Sequence, residues 1–594
     1  MNRSQPRITV ESSLYLALFA LALFLRLYQL NAHPLADAEA REALTVYRFL
    51  GGQAAASLPH SPAYFFFTYF GFLLFGASEA MARLAPALCG AGLVLLPAFF
   101  RERLGRVPAL LAAGLMGISA VLMAASRTAD GAIIALLGLG LGLGGLRRYL
   151  TTSSVTWLVI GAAALGAGLA GGAAFLTGAL VLTATALVVM WTSPADRTDL
   201  RGAVWKLLDQ RWTFAVTLAL TAGVVSTVGL LYRPGLGALA DSWAAWLSGG
   251  LPSAAGRAPQ ILLLFLFANE PFVLIFGVIG AAQAFTTANR AGQWLFWSVL
   301  VGLAVVLVRG GREMADLVWV AAPLAGLAGW GLAQAVGSEG LIDRETRPIV
   351  AAQVAIVVVL LSFSIANTAS FAEQVRLNPA LTQNQITFSG LVFQVTPLAY
   401  LAMSTVALAL VALTSYLIGL GWSPRPALQG LTLGIALALL AMNLRAAWGV
   451  TQLRAASPVE LWWERPVADD LKQLMQTAET VSNYAVGSAH DVELTVQGDP
   501  DAALGWAFRD FPHATFVDRL EPLVTSPMVV APAEEQNPTL GSAYVGQAFT
   551  FRASWTPALS WTEWVGWLAF RRAPVQSEQL ILWVREDVQQ LRTP

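Results

Sequence analysis

Charged side chains are scarce in this sequence. Asp, Glu, Lys and Arg make up 12% of its 594 residues, against about 25% in soluble globular proteins. The 36 basic and 36 acidic residues cancel and form no basic tract, which argues against a nucleic-acid partner. The single cysteine, Cys89, excludes a disulfide within the chain, so cysteine content does not indicate a compartment.

Hydrophobic residues take the place of the missing charges, at 56% of the chain. Apolar runs of about 18 residues or more recur along it, which is typical of helices that cross a bilayer. The sequence therefore predicts an all-α polytopic membrane protein with about thirteen transmembrane helices. These are expected at residues 10–30, 80–100, 107–125, 131–148, 154–171, 173–191, 212–232, 260–284, 291–308, 316–336, 348–367, 396–420 and 427–448.

The short apolar run Pro62–Phe75 decides the predicted topology. At about 1.5 Å per helical residue it is too short for a bilayer core of about 30 Å. If it does not cross, the Arg-rich segments all fall on one side, which the positive-inside rule makes cytoplasmic. These segments are the N-terminus, Arg101/Arg103/Arg106, Arg147/Arg148, residues 197–211, Arg290, Arg344/Arg347 and Arg425. The run is therefore predicted to be an interfacial or re-entrant helix. Residues 31–62 and the C-terminal part are then predicted to lie on the outer face of the plasma membrane.

The composition changes near Ser457, where charges return and the apolar runs shorten to strand length. The pattern predicts helices at 467–478 and 502–511 and strands at 492–496, 514–517 and 528–530. We therefore expect a transmembrane domain over residues 1–455 and a small extracytoplasmic α/β domain over residues 456–594. The Trp-rich segment 555–572, with Trp561, Trp564 and Trp567, favours a helix lying on the bilayer surface. A sugar-stacking platform and ordinary packing are the alternatives.

The first polar segment, residues 31–62, carries Asp37, Glu39 and His60. Apolar residues recur at helical spacing from Ala38 to Leu50, with Arg41, Glu42, Thr45 and Arg48 on the opposite face, which predicts an interfacial helix. Asp37 and Glu39 at its start are candidate catalytic carboxylates. They are also the residue types that cap a helix and favour its dipole. His60 is a candidate substrate ligand or simply part of a turn.

A second polar group, Arg127 and Asp130, lies between two predicted spans that meet on the same outer face. Ionisable residues near membrane depth are energetically expensive, so a functional role is the first hypothesis for them. The alternative is a polar hinge that satisfies helix ends. We expect both side chains to face a cavity shared with the first outer loop.

Several short motifs in chain order carry a family resemblance. They are Arg26-Leu27-Tyr28, His33-Pro34-Leu35 followed by acidic residues, His60-Ser61-Pro62-Ala63-Tyr64, Phe75-Gly76-Ala77-Ser78-Glu79 with Arg83-Leu84, and Arg127 with Asp130. In this order they resemble the opening of membrane glycosyltransferases of the C-type fold, such as the protein O-mannosyltransferases and the lipid A aminoarabinose transferases. The resemblance covers residues 20–190 and extends to the later spans as topology only.

This resemblance implies transfer of a sugar from a polyprenyl phosphate to a glycan, lipid or protein acceptor on the outer face. A carboxylate of the first outer loop, Asp37 or Glu39, would act on the acceptor hydroxyl with inversion at the sugar carbon. His60, Arg127, Asp130 and Arg312 would bind substrate. Cations such as Arg127 or Arg312, or a divalent metal, would stabilise the phosphate leaving group.

The sequence departs from the family pattern at Ala38, which stands where the family has the first residue of an Asp-Glu pair. Asp37 comes one residue earlier, and on a helix one residue is a turn of about 100°. We predict that Asp37 takes over the catalytic role, while Glu39 reaches water. The alternatives are a non-catalytic relative of the same fold that acts in glycan assembly, and a transporter or flippase.

Overall fold

The computed structural model describes the chain apart from short segments. The described residues are 9–53, 58–250, 256–337, 345–377, 384–388, 391–533, 540–557 and 560–590. The N-terminal arginines and Arg344, which the topology prediction uses, lie outside them.

The first half of the chain is helical throughout. Its helices are α1 (Val10–Leu27), α2 (Asp37–Leu50), α3 (Pro62–Phe75), α4 (Glu79–Leu93), α5 (Leu96–Leu104), α6 (Arg106–Ile118), α7 (Ala120–Ser126), α8 (Ala132–Thr152), α9 (Val155–Leu169), α10 (Ala173–Thr192), α11 (Pro194–Leu208) and α12 (Arg211–Ser226).

The helical part continues to residue 453. Its remaining elements are α13 (Gly235–Ser248), α14 (Pro259–Asn269), α15 (Pro271–Thr286), α16 (Arg290–Val308), a 3-10 turn (Met314–Leu317), α17 (Val318–Val336), α18 (Arg347–Leu377), the hairpin β1 (Asn384–Phe388) and β2 (Leu391–Val395), α19 (Pro397–Gly421), α20 (Pro424–Trp448) and a π-helical turn (Gly449–Leu453).

The C-terminal part forms a five-stranded sheet flanked by helices, which confirms the predicted α/β unit. Its elements are α21 (Asp470–Val486), β3 (Leu494–Gln497), α22 (Ala503–Ala507), β4 (Ala514–Val517), β5 (Met528–Pro532), β6 (Tyr544–Ser554), α23 (Trp561–Phe570), β7 (Gln576–Arg585) and α24 (Glu586–Gln590). The strand order is β4-β3-β5-β7-β6. β3 is parallel to β4 and β5, whereas β7 is antiparallel to β5 and β6. The sequence predicted β3, β4 and β5 but missed β6 and β7.

Among the described residues, nine helices are long and apolar enough to cross a membrane, or eleven if two bent helix pairs each count as one span. The bent pairs are α6 with α7, at 56°, and α14 with α15, at 92°. The other two of the thirteen predicted spans correspond to α9 and α12, which have 15 and 16 residues. The membrane-helix architecture is therefore confirmed, while the count of thirteen stays a prediction.

Helix α3 is bound at its start to α2 and near its end to the C-terminal unit, and whether it crosses the membrane stays a prediction. At its start, the preceding residue His60 donates to Glu42 of α2. Just after its end, the carbonyl of Ala77 accepts a hydrogen bond from Arg509 of the C-terminal unit, and Phe72 packs on Trp506. We call this end of the bundle, against which the C-terminal sheet unit packs, the domain face.

The Arg-rich loops meet one another in ion pairs. Arg101 binds Glu11 at 3.0 Å, and Arg147 binds Glu102 at 3.2 Å. Arg290 binds Asp199 at 3.3 Å. These pairs bring some of the Arg-rich segments together, and the grouping of all of them on the cytoplasmic side stays a prediction.

Glycines let α8 approach its neighbour α9 closely. A Cβ on Gly138 would stand 2.6 Å from the Cα of Gly168, and one on Gly145 would stand 2.7 Å from the Cα of Gly161. No side chain can occupy such positions, so the Gly-rich run of α8 serves helix packing.

The Trp-rich helix α23 packs on the bundle. Trp567 is 1% exposed, and its indole N–H donates to the carbonyl of Val459 at 2.9 Å. Arg571 stacks on this ring and donates to the carbonyl of Ala268 at 2.9 Å. Trp567 therefore follows the packing alternative. The side chain of Trp561 lies outside the described residues, and contact of the helix with lipid stays a prediction.

Candidate active site on the domain face

Of the two candidate carboxylates, Asp37 and Glu39, Glu39 accepts the larger number of hydrogen bonds. Its side chain is 1% exposed. It accepts hydrogen bonds from Arg83 at 2.7 and 2.9 Å, from the Ala129 N–H at 2.9 Å and from the Ala36 N–H at 3.0 Å. Arg83 donates further to the carbonyls of His33 and Pro34, each at 2.9 Å. The expectation that Glu39 reaches water is wrong, because this ion pair ties α2, α4 and two loops together inside the protein.

Asp37 faces the C-terminal unit. Its Oδ1 accepts from Arg552 of β6 at 2.6 Å and from the Ala503 N–H at the start of α22 at 3.2 Å. The structure thus turns this carboxylate toward Arg552 rather than toward the space beneath His60 and Asp130, where the sequence placed it. Its action as a base stays a prediction.

Glu42 is a functional candidate that the sequence analysis missed. It was assigned to the polar face of α2, but it is 8% exposed. One oxygen, Oε1, accepts from the His60 backbone N–H at 3.0 Å and contacts His60 Nδ1 at 2.8 Å. The other oxygen, Oε2, is buried and has no hydrogen-bond partner among the described residues. The signal in the sequence was its spacing: Glu42 follows Glu39 by three residues, so both lie on one side of the helix.

Asp130 is half-buried and lies near Glu42, and Glu313, whose side chain is exposed, lies near Asp130; both have raised pKa values. Burial is the largest cause for Asp130, with the charges of Glu42 and Asp316 adding to it, and its pKa rises to about 6. Burial, followed by the charges of Asp130 and Asp316, raises the pKa of Glu313 to about 7. Such shifts mark groups that are costly to ionise where they stand.

Arg309 supplies a buried cation to this group. It is 9% exposed, stacks on Trp246 and lies 3.8 Å from Asp316. Its Nε is buried without a hydrogen-bond partner among the described residues. We define the charge cluster as six residues: Glu42, His60, Asp130, Arg309, Glu313 and Asp316. Its four carboxylates outnumber its cations.

Close backbone packing holds the loops of the charge cluster together. A Cβ on Gly131 would stand 2.1 Å from the hydroxyl of Ser61 and 2.5 Å from the carbonyl of Gly171. Gly172 has a φ of +86°, and a Cβ there would meet the His60 carbonyl at 2.4 Å. A side chain on Gly131 would separate the loop of His60 from that of Asp130, and one on Gly172 would both strain a positive φ and clash with the His60 carbonyl.

The break between α6 and α7 positions the loop that carries Arg127 and Asp130. Arg26, which is fully buried, donates to the α6 carbonyls of Met116 and Gly117 at 3.1 and 3.0 Å. On the other side of the break, Glu270 accepts from Ser119 at 2.5 Å and from the Val121 N–H at 3.0 Å. A cation thus satisfies the open carbonyls and a carboxylate satisfies the open amides, as the polarity of helix ends requires.

Arg127 faces a different space from Asp130. It lines an open cleft of about 510 Å³, together with His33, Arg83 and Trp463 among others. It donates to the carbonyls of Arg26 and Tyr28, each at 2.8 Å. Burial, then the charge of Arg83, lowers its pKa to about 10, so it stays a cation at neutral pH. Arg127 therefore lines a cavity shared with the first outer loop, as predicted. Asp130 does not line this cavity and belongs to the charge cluster instead.

Arg312 lies next to the charge cluster. It is 8% exposed and donates to the carbonyls of Arg257 and Arg309, at 2.5 and 2.7 Å. Within the described ranges, no three His, Cys, Asp or Glu side chains are arranged to hold a metal ion. The carboxylates of the cluster therefore do not form a preorganised metal site in this geometry.

No protein-family model matches this chain, and no curated protein matches it. Solved structures do match. ArnT from Cupriavidus metallidurans bound to undecaprenyl phosphate is 14% identical, over 96% of this chain and 97% of that one, with a TM-score of 0.50. Its apo state is 16% identical over 99% and 100% of the two chains, with a TM-score of 0.48. The Archaeoglobus fulgidus oligosaccharyltransferase tethered with an acceptor peptide is 12% identical over 89% and 70%, at 0.43.

These are membrane glycosyltransferases of one architecture. This chain has the C-type glycosyltransferase fold. The expectation from the short motifs is therefore confirmed for the fold.

Two residues of the sequence motifs, Ser78 and Glu79, have defined contacts in this structure. Ser78 accepts from the Met81 N–H at 3.3 Å and so caps α4, and Glu79 accepts from the Trp506 indole at 3.1 Å. Ala38, which replaces the family's aspartate, is exposed. A carboxylate at that position would point to solvent and away from the charge cluster, which is built from other residues.

Proposed function

We propose that this chain is an integral membrane glycosyltransferase that transfers a sugar from a polyprenyl phosphate to an acceptor at the domain face. The observation that carries this proposal is the charge cluster of a C-type fold, in which His60 and its partner Glu42 could act on an acceptor hydroxyl while Arg309, with Arg312 next to it, could bind a phosphate. Support for the donor class comes from ArnT, which has been solved bound to undecaprenyl phosphate. The acceptor is a glycan, lipid or protein with a free hydroxyl.

The cations would act on the leaving group. As the bond between the sugar and the phosphate breaks, negative charge develops on the phosphate oxygen, and guanidinium groups stabilise it through charge-assisted hydrogen bonds. Arg309 and Arg312 lie beside the carboxylates, while Arg127 lines the neighbouring cleft. A divalent metal is the alternative that the family resemblance implies for this role, and no step proposed for this chain depends on one.

Lipid binding tests the donor site. We expect undecaprenyl phosphate to raise the unfolding temperature of the purified protein, because a ligand at 100 times its Kd stabilises the folded state by about 2.7 kcal/mol. Undecaprenol, which lacks the phosphate, should not. Arg312→Gln should reduce the increase in unfolding temperature if the phosphate lies at the charge cluster, and Arg127→Gln if it lies in the cleft. Arg465→Gln, on the C-terminal unit, is the control. If neither Arg312→Gln nor Arg127→Gln reduces the increase in unfolding temperature, the proposal is contradicted.

Transfer itself is the test of the reaction. Wild-type protein, supplied with polyprenyl-phosphate sugars and a membrane extract as acceptor source, should release the polyprenyl phosphate and label the acceptor. A second candidate function is a non-catalytic role of the same fold in glycan assembly. It is favoured by the engagement of both first-loop carboxylates, Asp37 and Glu39, in ion pairs. Lipid binding without any transfer would support that second function.

The orientation is part of the proposal. We place the domain face outside the plasma membrane, because the Arg-rich loops then lie in the cytoplasm. A periplasm-active reporter fused to the C-terminus should be active. Activity of only a cytoplasmic reporter would contradict this orientation.

A further inference from the structure

The further inference concerns the proton of the acceptor hydroxyl and rests on the proposed transferase function. The first-loop carboxylates that the resemblance favours are both engaged: Glu39 by Arg83, and Asp37 by Arg552. A group with a free proton-accepting atom at the same face lies elsewhere, in His60.

His60 is oriented by Glu42. Its backbone N–H and its Nδ1 both contact Glu42 Oε1, at 3.0 and 2.8 Å. A carboxylate at this position fixes the tautomer with the proton on Nδ1, and the lone pair then resides on Nε2. The imidazole side chain is 73% exposed, against 10% for Glu42. No hydrogen bond to Nε2 is present among the described residues.

This arrangement is the one by which a carboxylate orients a histidine base. The buried carboxylate sets the ring and stabilises the imidazolium, while the exposed nitrogen remains accessible to a substrate. If Glu42 only anchored the loop, its contact with the backbone N–H would suffice, and the exposed ring would have no role.

We propose that His60 is the general base of the transfer reaction and that Glu42 is its positioning residue. Nε2 takes the proton of the acceptor hydroxyl as its oxygen forms the bond to the sugar carbon. The bond from that carbon to the phosphate oxygen breaks, and the polyprenyl phosphate leaves with the electron pair. His60 is left as the imidazolium beside Glu42 and returns its proton to solvent.

The charges around His60 favour this cycle. Its hydrogen bond with Glu42 is the largest cause of a raised pKa, and the charges of Glu42 and Glu313 raise it further. Partial burial and the charge of Arg41 oppose the rise. Asp130, on the loop packed against Ser61, lies near Glu313 and adds a carboxylate to the same cluster. The imidazolium is thus stabilised, and the neutral base is depleted as the pH falls.

The test in the transfer assay is chemical rescue. His60→Ala should lower the transfer rate by about 10²–10⁴, the usual contribution of a positioned base. Added imidazole should restore part of the rate and make it follow the titration of free imidazole. Glu42→Gln should move the acid limb of the pH–rate profile to lower pH. His490→Ala, which removes another histidine paired with a glutamate, is the matched control.

The proposal is overturned if His60→Ala keeps the rate within about threefold, or if imidazole restores nothing in a folded variant. A measurement without substrate separates this failure from that of the function. Diethyl pyrocarbonate acylates neutral imidazole, and peptide mass spectrometry resolves His60 from His490. The pH of half-maximal reactivity at His60 should fall in Glu42→Gln and stay constant at His490. An unchanged value at His60 refutes the pairing, whereas absence of transfer in wild type refutes the function.

Discussion

Two carboxylates on one side of α2 have opposite surroundings. Glu39 is matched by Arg83 and by two backbone amides, so its charge is neutralised inside the protein. Glu42, three residues later, keeps one buried oxygen without a partner among the described residues and lies near the carboxylate of Asp130. A matched buried charge builds the scaffold, whereas an excess of one sign is unfavourable for folding and marks a place where chemistry is the better explanation.

Removing the charge at each position gives the largest expected difference. Glu39→Gln leaves the buried Arg83 without its carboxylate, which should lower the free energy of unfolding by about 3–5 kcal/mol. Glu42→Gln relieves repulsion with Asp130 and should change it by less than about 1 kcal/mol. Thermal unfolding in detergent, with gel filtration to detect aggregation, measures both. Equal losses of unfolding free energy in the two variants would remove the distinction between Glu39 and Glu42.

The charge excess predicts a pH dependence of stability. Because the pKa of Asp130 rises from 3.8 to about 6 and that of Glu313 from 4.5 to about 7, the folded state holds these protons more tightly than the unfolded state. Stability should therefore be higher below pH 4 and fall as the pH rises to about 7. The expected fall is on the order of 3 kcal/mol for Asp130, because a tenfold difference in proton affinity corresponds to about 1.4 kcal/mol. Glu313 should contribute less, because its side chain is exposed and solvent screens its charge.

The double variant Asp130→Asn with Glu313→Gln should remove that part of the dependence. Unfolding temperatures between pH 4 and 8, for wild type and variant, measure it. A wild-type curve that rises with pH through this range, or one that the double variant leaves unchanged, would contradict the assignment.

The helix break offers a third environment for comparison, in which a buried cation is satisfied by uncharged acceptors alone. Arg26 contacts the carbonyls of Ala22, Met116 and Gly117 and also the hydroxyl of Ser126. Arg26→Lys keeps the charge but cannot reach all four groups, so it should lower the free energy of unfolding by about 1–3 kcal/mol. Arg572→Lys, at an exposed ion pair, is the control. A loss no larger than that of the control would show that the break does not need the guanidinium.

The smallest effect is expected at Asp37. Its ion pair with Arg552 is partly exposed, and such pairs contribute about 0–1 kcal/mol. Asp37→Asn should therefore leave the fold intact and, if His60 is the base, lower transfer by less than about tenfold. A loss of about 10²–10⁴ in a folded Asp37→Asn protein would instead support the prediction from sequence that Asp37 is the catalytic carboxylate.

Local patterns predicted much of this molecule, because they depend on near neighbours in the chain. The apolar runs indicated most helices, and the short run Pro62–Phe75 forms a helix of 14 residues, whose position at the membrane surface stays a prediction. The strands β3 to β5 were predicted because their apolar runs have strand length. Strands β6 and β7 were missed because their exposed faces weaken the hydrophobic signal.

The amino-acid sequence by itself determined that this chain is a helical membrane protein of the C-type fold, that His60 and Asp130 lie at its polar loops, and that a small α/β unit follows. Only the tertiary structure decided which carboxylates are neutralised. Arg83 comes from α4 and Arg552 from β6, so the partners of Glu39 and Asp37 are distant in the chain, at separations of 44 and 515 residues. The availability of a charged group depends on such long-range partners and on burial, and neither is encoded in the periodicity of a single helix.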